Sequence, residues 1–211
     1  CHTFSQGGGG LISPKKYFKD HPEWFSDPLN GNKPCTAASE MPDPGHTQLN
    51  LTDDALRKQL TQNALEWLRS HPGADTISIS QNDNDNWCHT PAEIALNEKE
   101  GSPAGALIYF INAVAADIEK EFPQVKVETL AYNYTLTPPR YARPRQNVVI
   151  RLCTFGDVSR PLDSDTNQKF CDQINGWRAI APRLYIWNYV AGFRNCIYPF
   201  PNIDTFGPNL R

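Results

Sequence analysis

The sequence predicts an α/β fold built on parallel strands, part of a (β/α)8 TIM-barrel-type architecture. Three observations carry that expectation. Short apolar runs alternate with segments of helical periodicity along most of the chain. Pro-Gly and Pro signals separate them cleanly. The alternation leaves room for crossover connections, which parallel strands require and which place helices against the sheet.

Taken in order, residues 1–4 (Cys-His-Thr-Phe) read as the end of a strand, followed by four consecutive glycines at 7–10. Residues 5–50 form an irregular loop rich in Pro, Gly and Asn, with one short helix expected near Pro14–Asp20. A loop of this length in a compact domain is either functional or a surface excursion pinned by a disulfide. Thr52 reads as the N-cap of the first long helix, with Asp53 and Asp54 in its electropositive first turn. Leu56, Leu60, Ala64, Trp67 and Leu68 recur at helical spacing until Pro72-Gly73. Thr76–Ser80 is a strand running into Asn82-Asp83-Asn84-Asp85-Asn86.

Ser102-Pro103 opens a second helix whose apolar stripe runs from Leu107 to Phe122. Strands follow at Lys126–Tyr132 and Asn147–Leu152, then a helix at Asn167–Ile180 and a strand at Arg183–Tyr189. The tail, 190–211, reads as irregular. Five strands in 211 residues fall short of a closed barrel, which typically takes about 250 residues. The chain therefore reads as a single, partial barrel domain over 1–211, completed by flanking segments of the same or another chain. An open sheet is the alternative.

Composition bounds the function. The net charge is −3 and no Lys/Arg block occurs, which argues against a nucleic-acid partner. No apolar run reaches the roughly 18–20 residues of a membrane span. The cysteines number six, an even count, and none forms a C-x-x-C pair. Two N-x-S/T sequons occur, at Asn50 and Asn133. Together these point to a secreted, extracellular glycoprotein with disulfides, any targeting segment lying outside this sequence. Six cysteines allow 15 pairings. Cys153–Cys171 is the first expectation, because both flank one strand-to-helix loop. Cys35–Cys88 would pin the N-terminal excursion, leaving Cys1–Cys196.

In parallel α/β folds, function gathers at the C-terminal ends of strands. Those ends supply His2, Gln81-Asn82-Asp83, Tyr132-Asn133-Tyr134, Arg151, Cys153 and Trp187-Asn188-Tyr189. Rings that lie on apolar sugar faces, with amides and acids for hydroxyls, suit a glycan site. No Gly-rich phosphate loop follows a strand, and no cofactor or metal is expected. Asp83 is the candidate acid. The same Asp/Asn run could simply turn the chain, and alternating Asp83 and Asp85 could ligate calcium, although the EF-hand pattern is incomplete. His2 reads equally as a ligand or a core histidine.

Six ordered motifs resemble the domain of unknown function 4838, a family overlapping glycoside hydrolase family 163. They are Cys1-His2-Thr3-Phe4, His21-Pro22-Glu23-Trp24-Phe25, Ser78-Ile79-Ser80-Gln81-Asn82-Asp83, Leu130-Ala131-Tyr132, Asn147-Val148-Val149-Ile150-Arg151-Leu152-Cys153 and Leu184-Tyr185-Ile186-Trp187-Asn188-Tyr189. The resemblance implies a (β/α)8 barrel and endo-β-N-acetylglucosaminidase activity. The substrate's own 2-acetamido group would then act as nucleophile, an exception to the two-carboxylate scheme. It implies that Asp83 is the acid/base and that Asn82 holds the acetamido group. Tyr132 or Tyr189 would bond the intermediate and Trp187 would floor the subsite, with His2 and Arg151 also binding substrate. A glycan at Asn133 would crowd that mouth. The alternative is a catalytically inactive barrel used as an extracellular structural or glycan-binding module.

Overall fold

A computed structural model describes residues 2–5, 10–153, 156–189 and 201–209. The excursion contains structure of its own. Helix α1 (Pro14–Tyr17) starts with Pro at its first position, where the missing N–H leaves no bond unmade. Strands β1 (Ser26–Asp27) and β2 (Lys33–Pro34) pair antiparallel through a turn in which Gly31 and Asn32 have φ of 64° and 59°.

Helix α2 (Asp54–Ser70) is capped by Asp53, not Thr52: the Asp53 carboxylate accepts the Leu56 N–H at 2.8 Å. Thr52 instead donates its hydroxyl to Asn50 Oδ1. Strand β3 (Thr76–Ser78) follows. Next comes a helix absent from the sequence expectation, α3 (Pro91–Glu100). Its apolar face is weak, which hid it from periodicity. Its ends are nonetheless written in the sequence: Thr90 accepts the Glu93 N–H, Pro91 sits in the first turn, and Gly101 closes it at φ 68°. Helix α4 (Ala104–Glu121), strands β4 (Lys126–Ala131) and β5 (Val148–Cys153), helix α5 (Gln168–Ile180) and strand β6 (Leu184–Trp187) match the expected elements to within a few residues. The tail carries a short helix α6 (Phe206–Asn209), where irregular chain was expected.

The main sheet is parallel, in the order β3-β4-β5-β6. Pleating sends alternate side chains to opposite faces. Ile77, Val127, Val148, Ile150 and Leu152 face the helices and join Leu56, Leu60, Leu107, Ile111, Val114, Ile118 and Trp177 in one core. The opposite face carries Glu128, Leu130, Val149, Arg151 and Cys153. In register with the last two stand Tyr185 and Trp187.

Two expectations are corrected. Residues 2–4 form no strand, so the parallel sheet has four strands among the described residues rather than five. The segment still flanks β3: the N–H groups of Thr3 and Phe4 both donate to the Ser80 carbonyl, at 3.1 and 2.9 Å. Both donors converge on one acceptor, so no ladder propagates. The second concerns disulfides. Cys35, Cys88, Cys153 and Cys171 are free thiols. Cys153 lies on the sheet face opposite the helices, while Cys171 belongs to α5 on the helical side, so the sheet stands between them. Cys35 and Cys88 are both buried and remain thiols. The expected Cys1–Cys196 pair lies outside the described residues. No single helix among the described residues is long and apolar enough to cross a membrane.

Candidate active site at the C-terminal end of the sheet

Parallel strands bring their C-terminal ends to one edge, and six titratable or aromatic groups meet there. The rim after β3 is the best defined. Its amides and acids divide by the two-residue period of extended chain. Asn82 Nδ2 donates to the Thr47 carbonyl at 2.8 Å, and Asn84 Nδ2 to the Gly45 and Thr47 carbonyls at 3.0 and 3.1 Å. Asn86 Nδ2 donates to the His46 carbonyl at 2.8 Å. The three amides thus stitch the rim to residues 45–47, while Asp83 and Asp85 face outward and are exposed. The turn-forming reading of the run therefore fits its three amides. The oxygens of two of these amides are taken as well: Asn82 Oδ1 accepts the Ser5 N–H at 2.9 Å and Asn84 Oδ1 the Asn86 N–H at 3.0 Å.

Asp83 meets the next strand end. The Tyr132 hydroxyl donates to Asp83 Oδ1 at 2.6 Å, the length of a charge-assisted bond. Burial, then the bond to Asp83, raises the Tyr132 phenol far above its ordinary range, so the tyrosine stays the donor. The His2 ring packs on Tyr132 with centroids 5.5 Å apart, and its Nδ1 lies 2.9 Å from the Gln81 carbonyl. A carbonyl only accepts, so Nδ1 carries the proton and Nε2 is left as an acceptor when the ring is neutral. Thr135 braces the turn: its hydroxyl oxygen accepts from Gln81 Nε2 at 2.7 Å and from the Tyr132 N–H at 3.0 Å.

Farther along the edge, Arg151 pairs with the buried carboxylate of Glu128 and lies over the Trp187 ring, 5.5 Å from its centroid. Arg151, Tyr185, Ile186, Trp187 and Asn188 line an open cleft. Trp187 and Tyr189 are ring neighbours at 6.5 Å. Burial pushes the Cys153 thiol up to about 12 and the Tyr189 phenol up to about 12; Asp83 adds to both. Cys153 is therefore a neutral thiol, unsuited to act as a nucleophile.

The structure thus brings His2, Asp83, Tyr132, Arg151, Trp187 and Tyr189 to one edge. Asn82 does not join them. It is fully buried, with Oδ1 accepting the Ser5 N–H and Nδ2 bonded to Thr47. Asn50 is also buried, its Oδ1 taking the Thr52 N–H and hydroxyl. Asn133 is half-buried at φ 50°, beside Tyr132.

Two members escaped sequence reasoning. Glu128 is a lone acid inside an apolar strand, a signal in retrospect once a strand with Arg151 follows. Gln48 has no such signal, because its side-chain contacts lie more than 30 positions away. No group of three or more His, Cys, Asp or Glu side chains that could hold a metal ion converges among the described residues.

The sequence profile for the domain of unknown function DUF4838 matches residues 1–211. The chain belongs to the DUF4838 family. The match spans every strand end just described, so the edge cluster of this DUF4838 chain lies wholly inside the family's domain. No curated protein matches the chain.

Proposed function

We propose that this DUF4838 chain carries the acid-bearing rim of a secreted glycoside hydrolase acting on N-acetylglucosamine-containing glycans by a retaining, substrate-assisted route. The observation that carries this reading is the bond between Asp83 and Tyr132 across neighbouring parallel-strand ends, beside the Arg151–Trp187 platform. Asp83 and Asp85 are the outward-facing acids of the rim, and Asp83 is the one bonded to Tyr132. Glu128, on the same sheet face, is buried and tied to Arg151. A mechanism in which the substrate provides the nucleophile asks the protein for one acid/base, and Asp83 takes that role in this reading.

In that mechanism Asp83, protonated, gives its proton to the leaving glycosidic oxygen as the bond to the anomeric carbon breaks. The carbonyl oxygen of the 2-acetamido group bonds to that carbon and closes an oxazolinium ring. Water then opens the ring, and the Asp83 carboxylate takes the water's proton. Tyr132 holds the carboxyl in place between the two steps. The acetamido group finds its donors in Tyr189 or Arg151, since Asn82 is committed to Ser5 and Thr47 and the Tyr132 hydroxyl proton to Asp83. The Trp187 ring supplies an apolar floor for a pyranose.

A barrel completed by flanking segments is part of this reading. On β6, Tyr185 and Ile186 alternate to opposite faces and are 56% and 42% exposed. Parallel strands are ordinarily covered on both faces, which supports further strands and helices beyond this edge. Secretion rests on the sequon at Asn133, since Asn50 is buried and the described cysteines are free thiols.

The second reading is an inactive barrel that binds glycans or serves as extracellular structure. It is favoured by the sequon at Asn133, adjacent to Tyr132. Hydrolysis of chitobiose-core N-glycans by the full-length protein, beside its Asp83→Asn variant, separates the two. The hydrolase reading expects turnover that falls roughly 10²–10⁴-fold in the variant. Equal inertness of both proteins with glycan binding retained sinks it.

A further inference from the structure

The long excursion before α2 also builds the rim, through one buried amide. Gln48 is 1% exposed and reaches the chain on both sides of Asp83. Its Nε2 donates to the carbonyls of Asn82 and Asn84, both at 2.8 Å, and its Oε1 accepts the Asn82 N–H at 3.0 Å. Gln48 is itself anchored to β1: its N–H donates to Ser26 Oγ at 2.8 Å, and its carbonyl accepts the Ser26 N–H at 2.9 Å. Thr47, next to it, donates its hydroxyl to the Ser26 carbonyl at 2.8 Å. A continuous chain of bonds therefore runs from the β1 strand through Gln48 to the backbone flanking Asp83, and from Asp83 to Tyr132.

We propose that Gln48 is a positioning residue for Asp83, its side-chain amide clamping residues 82 and 84 so that the exposed carboxylate between them is presented to the Tyr132 hydroxyl. An exposed acid on an unsupported loop would sample many rotamers and backbone states, each ordered at a free-energy cost. Three bonds to one buried side chain remove that freedom without touching the carboxylate. The geometry also assigns a purpose to the excursion at residues 10–50: the β1–β2 hairpin is the base to which the clamp is fixed. The assignment deepens the hydrolase reading, but its spectroscopic test does not depend on turnover.

The test is NMR detection of the Tyr132 hydroxyl proton near neutral pH in full-length protein, with backbone spectra reporting the fold. Wild type is expected to show a downfield, slowly exchanging proton that Asp83→Ala removes. Gln48→Met, close in shape but without the amide, is expected to lose the signal with the core spectrum unchanged. Asn86→Ala, which cuts a peripheral stitch to His46, is expected to keep it. If Gln48→Met fails to fold, Gln48→Asn, which keeps the amide one methylene short, carries the test and is expected to weaken the signal. A variant at Gln48 that folds and keeps the wild-type resonance overturns the proposal, as does a wild-type protein that lacks it. The kinetic arm expects Gln48→Met to lower kcat roughly 10- to 100-fold with KM little changed. If wild type does not hydrolyse glycans, the hydrolase reading fails while the resonance still decides the role of Gln48.

Discussion

The hydroxyl of Tyr132 donates to Asp83 across 2.6 Å, joining residues 49 positions apart at the ends of neighbouring parallel strands. If that contact orients the acid, Tyr132→Phe leaves the fold intact, since only one hydroxyl is lost at an open edge. Turnover of a chitobiose-core glycan is then expected to fall about 10- to 100-fold, through kcat more than KM. Unchanged kinetics would detach Tyr132 from the chemistry.

Glu93 gives the protein a definite pH dependence. It is 1% exposed beneath the rim, accepts the Leu51 N–H at 3.2 Å, and burial raises its pKa from 4.5 to about 8. Cys88 and Tyr134 face it and feel its charge. The folded state holds the proton that the unfolded chain releases above pH 4.5, so Glu93 lowers stability as pH rises from 4.5 toward 8. The loss is about 3 kcal/mol by pH 7. Glu93→Gln keeps an acceptor for Leu51 and removes the titration. Its Tm is expected to exceed wild type at pH 8 and to match it at pH 4.5; a gain equal at both pH values refutes the assignment.

Arg151 and Glu128 form a pair that must be broken carefully. Glu128 is 5% exposed, so Arg151→Met leaves a carboxylate buried without its cation. Urea unfolding is expected to show a loss of about 3 kcal/mol. Replacing both, as Arg151→Met with Glu128→Leu, is expected to recover much of it, because the desolvated charge is gone. Additive losses would show that the two side chains act independently.

Glu100 anchors the loop between β4 and β5. One carboxylate oxygen accepts the N–H groups of Tyr141 and Ala142, at 2.7 and 2.9 Å, and the other takes the Tyr109 hydroxyl at 3.1 Å. These bonds outweigh burial and hold its pKa below 4.5. Its stabilisation is therefore full above the ordinary carboxylate range and is lost as pH falls through the lowered folded value. Glu100→Ala is expected to cost about 2 kcal/mol at pH 7, and less in acid. Gly105→Ala is expected to destabilise too, by about 1–3 kcal/mol, because its Cβ would overlap the Glu100 side chain. Thermal melts at two pH values check both.

Local signals were sufficient for much of the architecture. Helices α2, α4 and α5 and strands β3 to β6 follow from periodicity and breakers, because burial of one face imposes that spacing. Helix α3 was legible only in its caps, Thr90 and Gly101, since its short apolar face is diluted by polar residues. Asp83, Tyr132, Arg151, Trp187 and Tyr189 fall at or near one edge of the sheet because parallel connectivity alone sends those strand ends there.

What the sequence by itself determined is therefore the α/β alternation, the parallel crossovers and the edge where polar and aromatic residues collect. Tertiary structure alone decided which way the residues of that edge face and what they meet. It turned Asn82 inward to Ser5 and Thr47, left Asp83 outward against Tyr132, put Cys153 and Cys171 on opposite sides of the sheet, and set Gln48 beneath the rim. Each of these depends on contacts between segments remote in sequence, and neither spacing nor propensity carries information about which remote backbone groups a side chain will meet.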